Sequence, residues 1–428
     1  MMQAFFWMIY CSCYGYISYF LVEEGFGTSV VGVLSAVAGV LSAVGQPLVG
    51  AIADKPKIGW RKPLLSALVL LTVCGGALTF VSMRGAGAAI CLFYSVIMLI
   101  LGIALPLVNT AGVVFRDEIN FGIGRGMGSF GYAVISYILG YLTAGYGPLV
   151  IPISIVAVSV LMLAVTLQMP AGPNSEDIST DEMDPDKGLD GSVSEAEAVS
   201  DEIRTSEKVT RTNVDESRTT GDVTETNAAG EEELYAKQGG FLQRYPQFTF
   251  LWGIFIFLLT VHCLSNSYLL QILEKAGGDS HNLGIAIFIA AMMEMPMIFF
   301  YEKINRYIST RTLLLIAAIS YFLKSILQLW TSSLTVLYLV QLLQLTSWGI
   351  YATASVYFAN EIIPERDRTK GQAFMSNALT IGTVIGSLIG GFLIERYQVN
   401  VMLVFQCTMA LLGLVAMLIW RMKYRETR

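Results

Sequence analysis

The sequence predicts an all-α membrane protein with twelve transmembrane helices, arranged as two parallel six-helix bundles. Three observations predict it. Apolar residues make up 54% of the 428-residue chain and charged residues 14%, against about 25% charged in soluble domains. Twelve apolar segments are each long enough to cross a bilayer as a helix. Charged landmarks recur along the chain at nearly one offset.

The segments fall at about 4–22, 29–53, 63–83, 87–115, 127–146 and 148–169, then 248–272, 283–301, 311–330, 334–360, 371–394 and 400–420. Gly145, Tyr146, Gly147 and Pro148 form a tight turn between the fifth and sixth. The chain enters its first segment with no basic leader, so no cleaved signal is expected.

Residues 171–244 separate the sixth and seventh segments. They hold 19 acids and 7 bases, and are rich in Ser, Thr and Gly. Such a stretch cannot bury enough apolar surface to fold, so a disordered cytoplasmic linker is expected. A solvated tether is favoured over a docking tail. The last residues before Pro246 suit a short lead-in along the membrane surface. The expected domains are thus 1–170, the linker 171–244, and 245–428.

The repeat is read from three charged pairs. Asp54 corresponds to Glu302, Arg61 to Arg311 and Arg125 to Lys370, at offsets of 248, 250 and 245. Gly382, Gly386 and Gly390 recur every four residues in the eleventh segment, a small-residue face for helix packing.

Cations set the orientation. One side of the membrane collects Lys55, Lys57, Arg61, Lys62, Arg116, Lys303, Arg306, Arg311, Arg366, Arg368, Lys370 and the basic C-terminal tail; the other collects Arg84, Lys275 and Arg396. By the positive-inside rule the first side is cytoplasmic, with both termini and the linker. The plasma membrane is the expected location.

Residues 50–62, GAIADKPKIGWRK, join the second and third segments. Gly50 is read as allowing close helix approach, and Asp54 as reaching a helix N-terminus or a cation across the domain boundary. Gly50, Asp54, Lys55, Arg61 and Lys62 resemble the G-x-x-x-D-[RK]-x-G-x-[RK]-[RK] signature of the major facilitator superfamily. The chain departs from it by carrying Pro56, Lys57 and Ile58 before Gly59. The alternative is an ordinary basic loop that orients the protein. The resemblance implies two parallel halves with a solute site at their interface, near the membrane midplane.

Ionisable groups inside a bilayer are functional candidates by default. Glu294 lies mid-segment in AAMMEMPMIFF, Lys324 in ISYFLKSILQL and His262 in LLTVHCLSNSY. Desolvation favours the neutral form of a carboxyl, which suits Glu294 to load and release a proton. A structural ion pair with Lys324 is the alternative. His262, one turn from Asn266, either relays a proton and binds solute or packs between helices. Tyr16 and Tyr19 share a face of the first segment. Gln344, Trp348 and Tyr351 give the tenth a polar, aromatic wall, and Asn109 and Asn377 are midspan amides.

Residues 121–133, FGIGRGMGSFGYA, resemble the start of the fifth span in the lactose permease type of oligosaccharide:proton symporters. They also resemble the phenylpropionate and nucleoside:proton permeases. The pattern matches Arg125, the Gly128, Ser129, Phe130, Gly131 core, and Tyr132; Gln46 and Pro47 match as well. The resemblance implies that Arg125 binds solute and Tyr132 stacks on it. It gives Glu294 the role of the family's glutamate in the eighth span, and puts Lys324 in place of an arginine in the ninth. The histidine and glutamate that bring the proton in that family read Gln344 and Ser347 here. The carboxylate of the fourth span is missing.

The expected activity is proton-coupled symport of a small polar organic solute, a sugar or glycoside first. Symport of aromatic carboxylates or nucleosides, drug:proton antiport, and a non-transporting sensor or scaffold are the alternatives. No G-x-x-x-x-G-K-[ST] is present, so ATP drive is not expected. No nucleophile–base pair indicates an enzyme, and the six cysteines form no C-x-x-C metal pair. No cofactor, metal or nucleic acid is expected. The proton gradient is the energy source, the bilayer the partner, and a monomer the expected state. If the linker is a tether, deleting residues 175–238 leaves most solute flux intact, measured as radiolabelled uptake at matched expression; loss of output with intact membrane insertion points to a scaffold.

Overall fold

Interior polar backbone must bond within its own segment when the surroundings are hydrocarbon, and the chain answers with helices throughout. The computed structural model describes residues 1–53, 55, 58–114, 121–169, 240–364 and 367–424. Side chains of 112–114, 121–125, 368 and 369 are excepted. No strand occurs among the described residues. Among the described residues, eleven helices are long and apolar enough to cross a membrane, and a bent pair at the N-terminus, taken as one span, makes a twelfth. The expected linker lies outside the described residues up to 239; Phe241–Arg244 forms a short helical turn. Asp54 and Lys57 of the basic loop are also outside them.

The first span comprises Met2–Tyr10, a π turn at Cys11–Gly15, and Ile17–Glu23. The next five are Thr28–Ala53, Arg61–Met83, Gly87–Val114, Phe121–Tyr146 and Val150–Gln168. The seventh is Pro246–Ser267, continued by Leu269–Glu274. Ser280–Asn305 and Thr310–Trp330 follow. The tenth starts as Leu334–Gln341, tightens at Leu342–Gln344, widens into a π turn at Leu345–Gly349 and resumes as Ile350–Ile362. Arg368–Tyr397 and Val399–Lys423 complete the set.

The first span is expected to be continuous, yet it bends by 47°. The cause is local. Gly15 has no side chain, and a Cβ there would sit 3.3 Å from both Cys11 Sγ and the Tyr132 hydroxyl. Tyr16 leaves helical geometry, and its hydroxyl donates to the Ser136 carbonyl of the fifth span at 2.6 Å. The seventh span breaks in the same way at Tyr268, whose hydroxyl donates to the Ser387 carbonyl of the eleventh at 2.5 Å.

These breaks repeat the sequence offset at atomic level. Gly284 of the eighth span lies against Ser136, where a Cβ would be 2.6 Å from the carbonyl and 3.0 Å from the Tyr16 hydroxyl. Gly32 of the second span lies against Ser387 and Tyr268 in the matching way. Tyr16 to Tyr268, Ser136 to Ser387 and Gly32 to Gly284 are spaced by 252, 251 and 252. Arg61 and Arg311 also match. Arg61 Nη2 donates to the Leu167 carbonyl at the end of the sixth span at 2.6 Å. Arg311 Nη1 donates to the Tyr424 carbonyl beyond the twelfth at 2.7 Å. A cation at a helix C-terminus meets its unpaired carbonyls and the negative end of its dipole.

The two six-helix sets meet along the fifth and eighth spans, from Gly126 against Phe299 to Gly140 against Gly284, and hydrogen bonds join them at the end far from the basic loop. Thr28 Oγ1 donates to the Gly391 carbonyl at 2.8 Å, and Ser18 Oγ to Gln271 Oε1 at 2.9 Å. The glycine face of the eleventh span packs on the seventh: Gly382 meets Leu259 and Thr260, Gly386 meets Thr260 and Cys263, and Gly390 meets Leu264 and Tyr268. Among the described residues, no atom lies within 4 Å of where a Cβ of Gly50 would be. Gly382→Val places new atoms about a Cβ 2.8 Å from Leu259 Cβ and 2.9 Å from Thr260 N. It is expected to cost about 1–3 kcal/mol by overpacking, read as a lower thermal midpoint in detergent. Gly39→Ala, facing open space, does not lower it.

Candidate solute and coupling site

Proline at position 296 has no N–H, so it frees the Met292 carbonyl one turn earlier in the eighth span, the span that carries Glu294. Glu294 is half-buried. Ser129 Oγ of the fifth span donates to Glu294 Oε1 at 3.1 Å, a polar contact between the two helix sets. The hydroxyls of Tyr132 and Tyr321 lie within electrostatic reach of the same carboxyl. Arg125 is helical and precedes Ser129 by one turn; its side chain is outside the described set.

Lys324 is 2% exposed, and its Nζ donates to Gln344 Oε1 at 2.8 Å. It makes no ion pair with Glu294, so the structural pair weighed from the sequence does not form. The physical reason is the partner on the tenth span. The tight turn Leu342–Gln344 presents the Gln344 amide to the ammonium, which is thereby hydrogen-bonded without a carboxylate. Ser347 Oγ turns back to the Leu343 carbonyl at 2.7 Å.

His262 stacks on Trp348 with ring centroids 4.1 Å apart and planes at 13°. Asn266 Nδ2 is 3.0 Å from its Nε2, and Tyr321 meets it edge-on at 6.2 Å. The π turn Leu345–Gly349 carries Trp348, and Tyr351 follows at 5.6 Å. On the first span, Trp7, Tyr10 and Tyr14 form a second ladder, with centroids 5.1 and 4.3 Å apart. All three rings are partly exposed. Cys263 of the seventh span lies within electrostatic reach of Tyr10, so the first and seventh spans face one another here.

Not every sequence candidate joins this cluster. Tyr16 is fully buried with its hydroxyl held by Ser136, so it does not face the solute space; it is used at the helix break. Tyr132 stands 6.5 Å from Trp7, with its hydroxyl beside Gly15. Asn109 is half-buried and Asn377 exposed, and neither side chain has a hydrogen bond to a described residue. Lys55 and Lys62 are exposed in the basic loop. Among the residues not selected from sequence, Trp7, Tyr10 and Tyr14 carried a signal: spacings of three and four place them on one helical face. Ser129 stood in the Gly128–Gly131 motif without being given a role, and Tyr321 carried no signal beyond its helix register. No group of three metal-binding side chains is found among the described residues.

Twelve spans in two like-oriented sets, closed on each other around a half-buried carboxylate, define a secondary-transporter architecture. The MFS_1 like family model matches residues 2–407, and the chain belongs to that family of major facilitator transporters. It is not an enzyme. A maltose permease of Geobacillus stearothermophilus is 27% identical over 160 residues. That match spans 36% of this chain and 40% of the relative. The nucleoside transporter NupG superposes with a TM-score of 0.68 at 14% identity, covering 100% of this chain and 97% of its own. A D-xylose-proton symporter superposes at 0.64 with 14% identity, covering 98% of this chain and 94% of its own. The last two likenesses establish the fold. Because Gln344 accepts from the buried Lys324 ammonium, Gln344→Leu removes that bond at a cost of about 1.5–3 kcal/mol. The double variant Lys324→Met/Gln344→Leu is expected to have a higher thermal midpoint than Gln344→Leu alone.

Proposed function

We propose that the protein is a proton-coupled symporter of a small polar organic solute with a stackable ring, a sugar or glycoside first. The observation that carries this reading is the Glu294 carboxyl, tied to Ser129 of the opposite helix set between two aromatic ladders. A charged carboxylate accepts strongly from Ser129 and holds the two sets together at midspan. Once protonated, it has one fewer strong acceptor site and is free to meet a solute hydroxyl. Solute and proton then release the same contact, which links binding of one to binding of the other. Rocking of one six-helix set against the other carries the loaded site across the membrane. On this reading residues 1–170 and 245–428 are the moving domains, and 171–244 is a cytoplasmic tether. The protein acts as a monomer in the plasma membrane with both termini inside, and needs no cofactor beyond the proton gradient.

Two flanking ladders support a ring-bearing solute. Trp7, Tyr10 and Tyr14 supply one apolar wall, and His262, Trp348 and Tyr351 the other. The name of the Geobacillus relative, maltose permease, favours a sugar. The near-parallel stack of His262 on Trp348 favours a planar ring, which keeps nucleosides and aromatic acids as the second reading. Drug efflux gains no specific support.

The deciding experiment follows external pH around energy-starved cells expressing the full chain as sugars, glycosides, nucleosides and aromatic acids are added singly. Alkalinisation with one class, abolished in Glu294→Gln while solute counterflow persists, is the expected result and names the class. No pH response together with no radiolabelled uptake of any class rejects symport.

A further inference from the structure

Antiparallel neighbours in a bilayer match polar side chains in rungs, because a polar atom left between them has no water of its own. The ninth and tenth spans pack in this way. Ser320 Oγ donates to Thr346 Oγ1 at 2.8 Å, and Lys324 Nζ to Gln344 Oε1 at 2.8 Å. The next rung outward falls on Gln328, four residues after Lys324, and Gln341, three before Gln344. Both are 0% exposed, as is Gln406 of the twelfth span.

This rung is incompletely paired. Gln328 Oε1 accepts from Ser265 Oγ at 3.1 Å and from Gln406 Nε2 at 2.7 Å. Gln406 Nε2 also lies 3.2 Å from Ser325 Oγ. Gln341 Nε2 turns back to the Leu337 carbonyl at 3.4 Å. Gln328 Nε2, Gln341 Oε1 and Gln406 Oε1 have no hydrogen-bond partner among the described residues. Exchanging oxygen and nitrogen in Gln328 and Gln406 does not cure this. Two amides joined by one N–H···O contact leave one nitrogen and one oxygen turned away in either assignment.

The three atoms are one donor and two acceptors. Water accepts from such a donor and donates to such acceptors, so it supplies the kind of partner each one lacks. A metal cation is disfavoured by the Gln328 N–H groups and by the Lys324 ammonium one turn away, and an anion by the two carbonyl oxygens. At the outer end of the ninth span, Lys275 Nζ donates to the Leu329 carbonyl at 2.5 Å and approaches that of Gln328 at 3.5 Å. Lys275 thus occupies carbonyls at the outer end of the ninth span, where Gln328 lies, with the Lys324 position one turn further in.

We propose that Gln328, Gln341 and Gln406 form a buried water-binding site between the ninth, tenth and twelfth spans, hydrating Lys324 from the closed end. The water site stands on geometry alone; its use in delivering protons rests on the coupled-transport reading above. Neither role involves the solute cavity.

The test uses the full chain in lipid nanodiscs and water itself as probe, by X-ray hydroxyl-radical footprinting with mass spectrometry. Leu337, 1% exposed and bonded through its carbonyl to Gln341, is compared with Leu71, 0% exposed in the N-terminal set. Leu337 is expected to oxidise faster than Leu71, and Gln341→Leu to bring it down to the Leu71 rate. Equal rates in the unmodified protein overturn the site, whether or not any variant folds. In reconstituted vesicles, Gln341→Leu is expected to slow proton-driven uptake while leaving solute exchange at equal pH unchanged. A variant that loses the label but keeps both fluxes overturns the delivery role. The footprint is read without any solute, so failure of the symport reading and failure of the water site are separate results.

Discussion

A polar atom inside a bilayer has no water to fall back on, and this single constraint arranges most of the molecule. Helices meet it for the backbone. Serine and threonine hydroxyls meet it by donating to the carbonyl one turn back, as Thr72 does to Leu68, Thr79 to Gly75 and Ser95 to Cys91. Where a helix breaks, an outside donor takes over: Tyr16 and Tyr268 each deliver a hydroxyl to a serine carbonyl of a neighbouring span. Those same carbonyls carry the glycines of the opposite helix set. The tyrosine, the serine carbonyl and the glycine therefore form one unit, used twice, that closes the far end of the molecule.

Symmetry of closure contrasts with asymmetry of chemistry. The first span offers tryptophan and tyrosine rings, with hydroxyls such as Tyr14 already donating to the Met98 carbonyl at 3.0 Å. The C-terminal set holds Glu294, Lys324 and His262, together with the amides of Gln328, Gln344 and Gln406. A transporter of this build needs two sets that fit together at either end, and the repeated glycine contacts serve that need. It needs a titratable group in one place only, so the charges have no counterpart at the repeat offset.

Much of this was legible from residues alone. Each span edge is set by where charge, glycine or proline first interrupts an apolar run, and the two described arginines of the repeat, Arg61 and Arg311, occupy matching helix ends. The midspan glutamate, lysine and histidine stood out because charge is costly there. Their partners did not. Glu294 and Lys324 sit on adjacent helices with opposite charges, so a pair is the natural expectation. Lys324 instead meets Gln344, because the tight turn and the π turn of the tenth span rotate that amide toward it, and local irregularity of this kind leaves little trace in periodicity. Tyr16 was legible as an aromatic on the correct face, but its hydroxyl points to Ser136 because Gly15 and the π turn bend the helix there.

The sequence by itself determined the number of spans, the repeat and the residue types inside the membrane, since each follows from the cost of moving a side chain from water into hydrocarbon. Only the tertiary structure decided which of those residues meet. Helix rotation, bends and close glycine contacts set the direction of each side chain over distances of a few ångströms, and no term in the sequence pattern depends on them. Glu294 with Ser129, Lys324 with Gln344, and His262 on Trp348 are products of that packing.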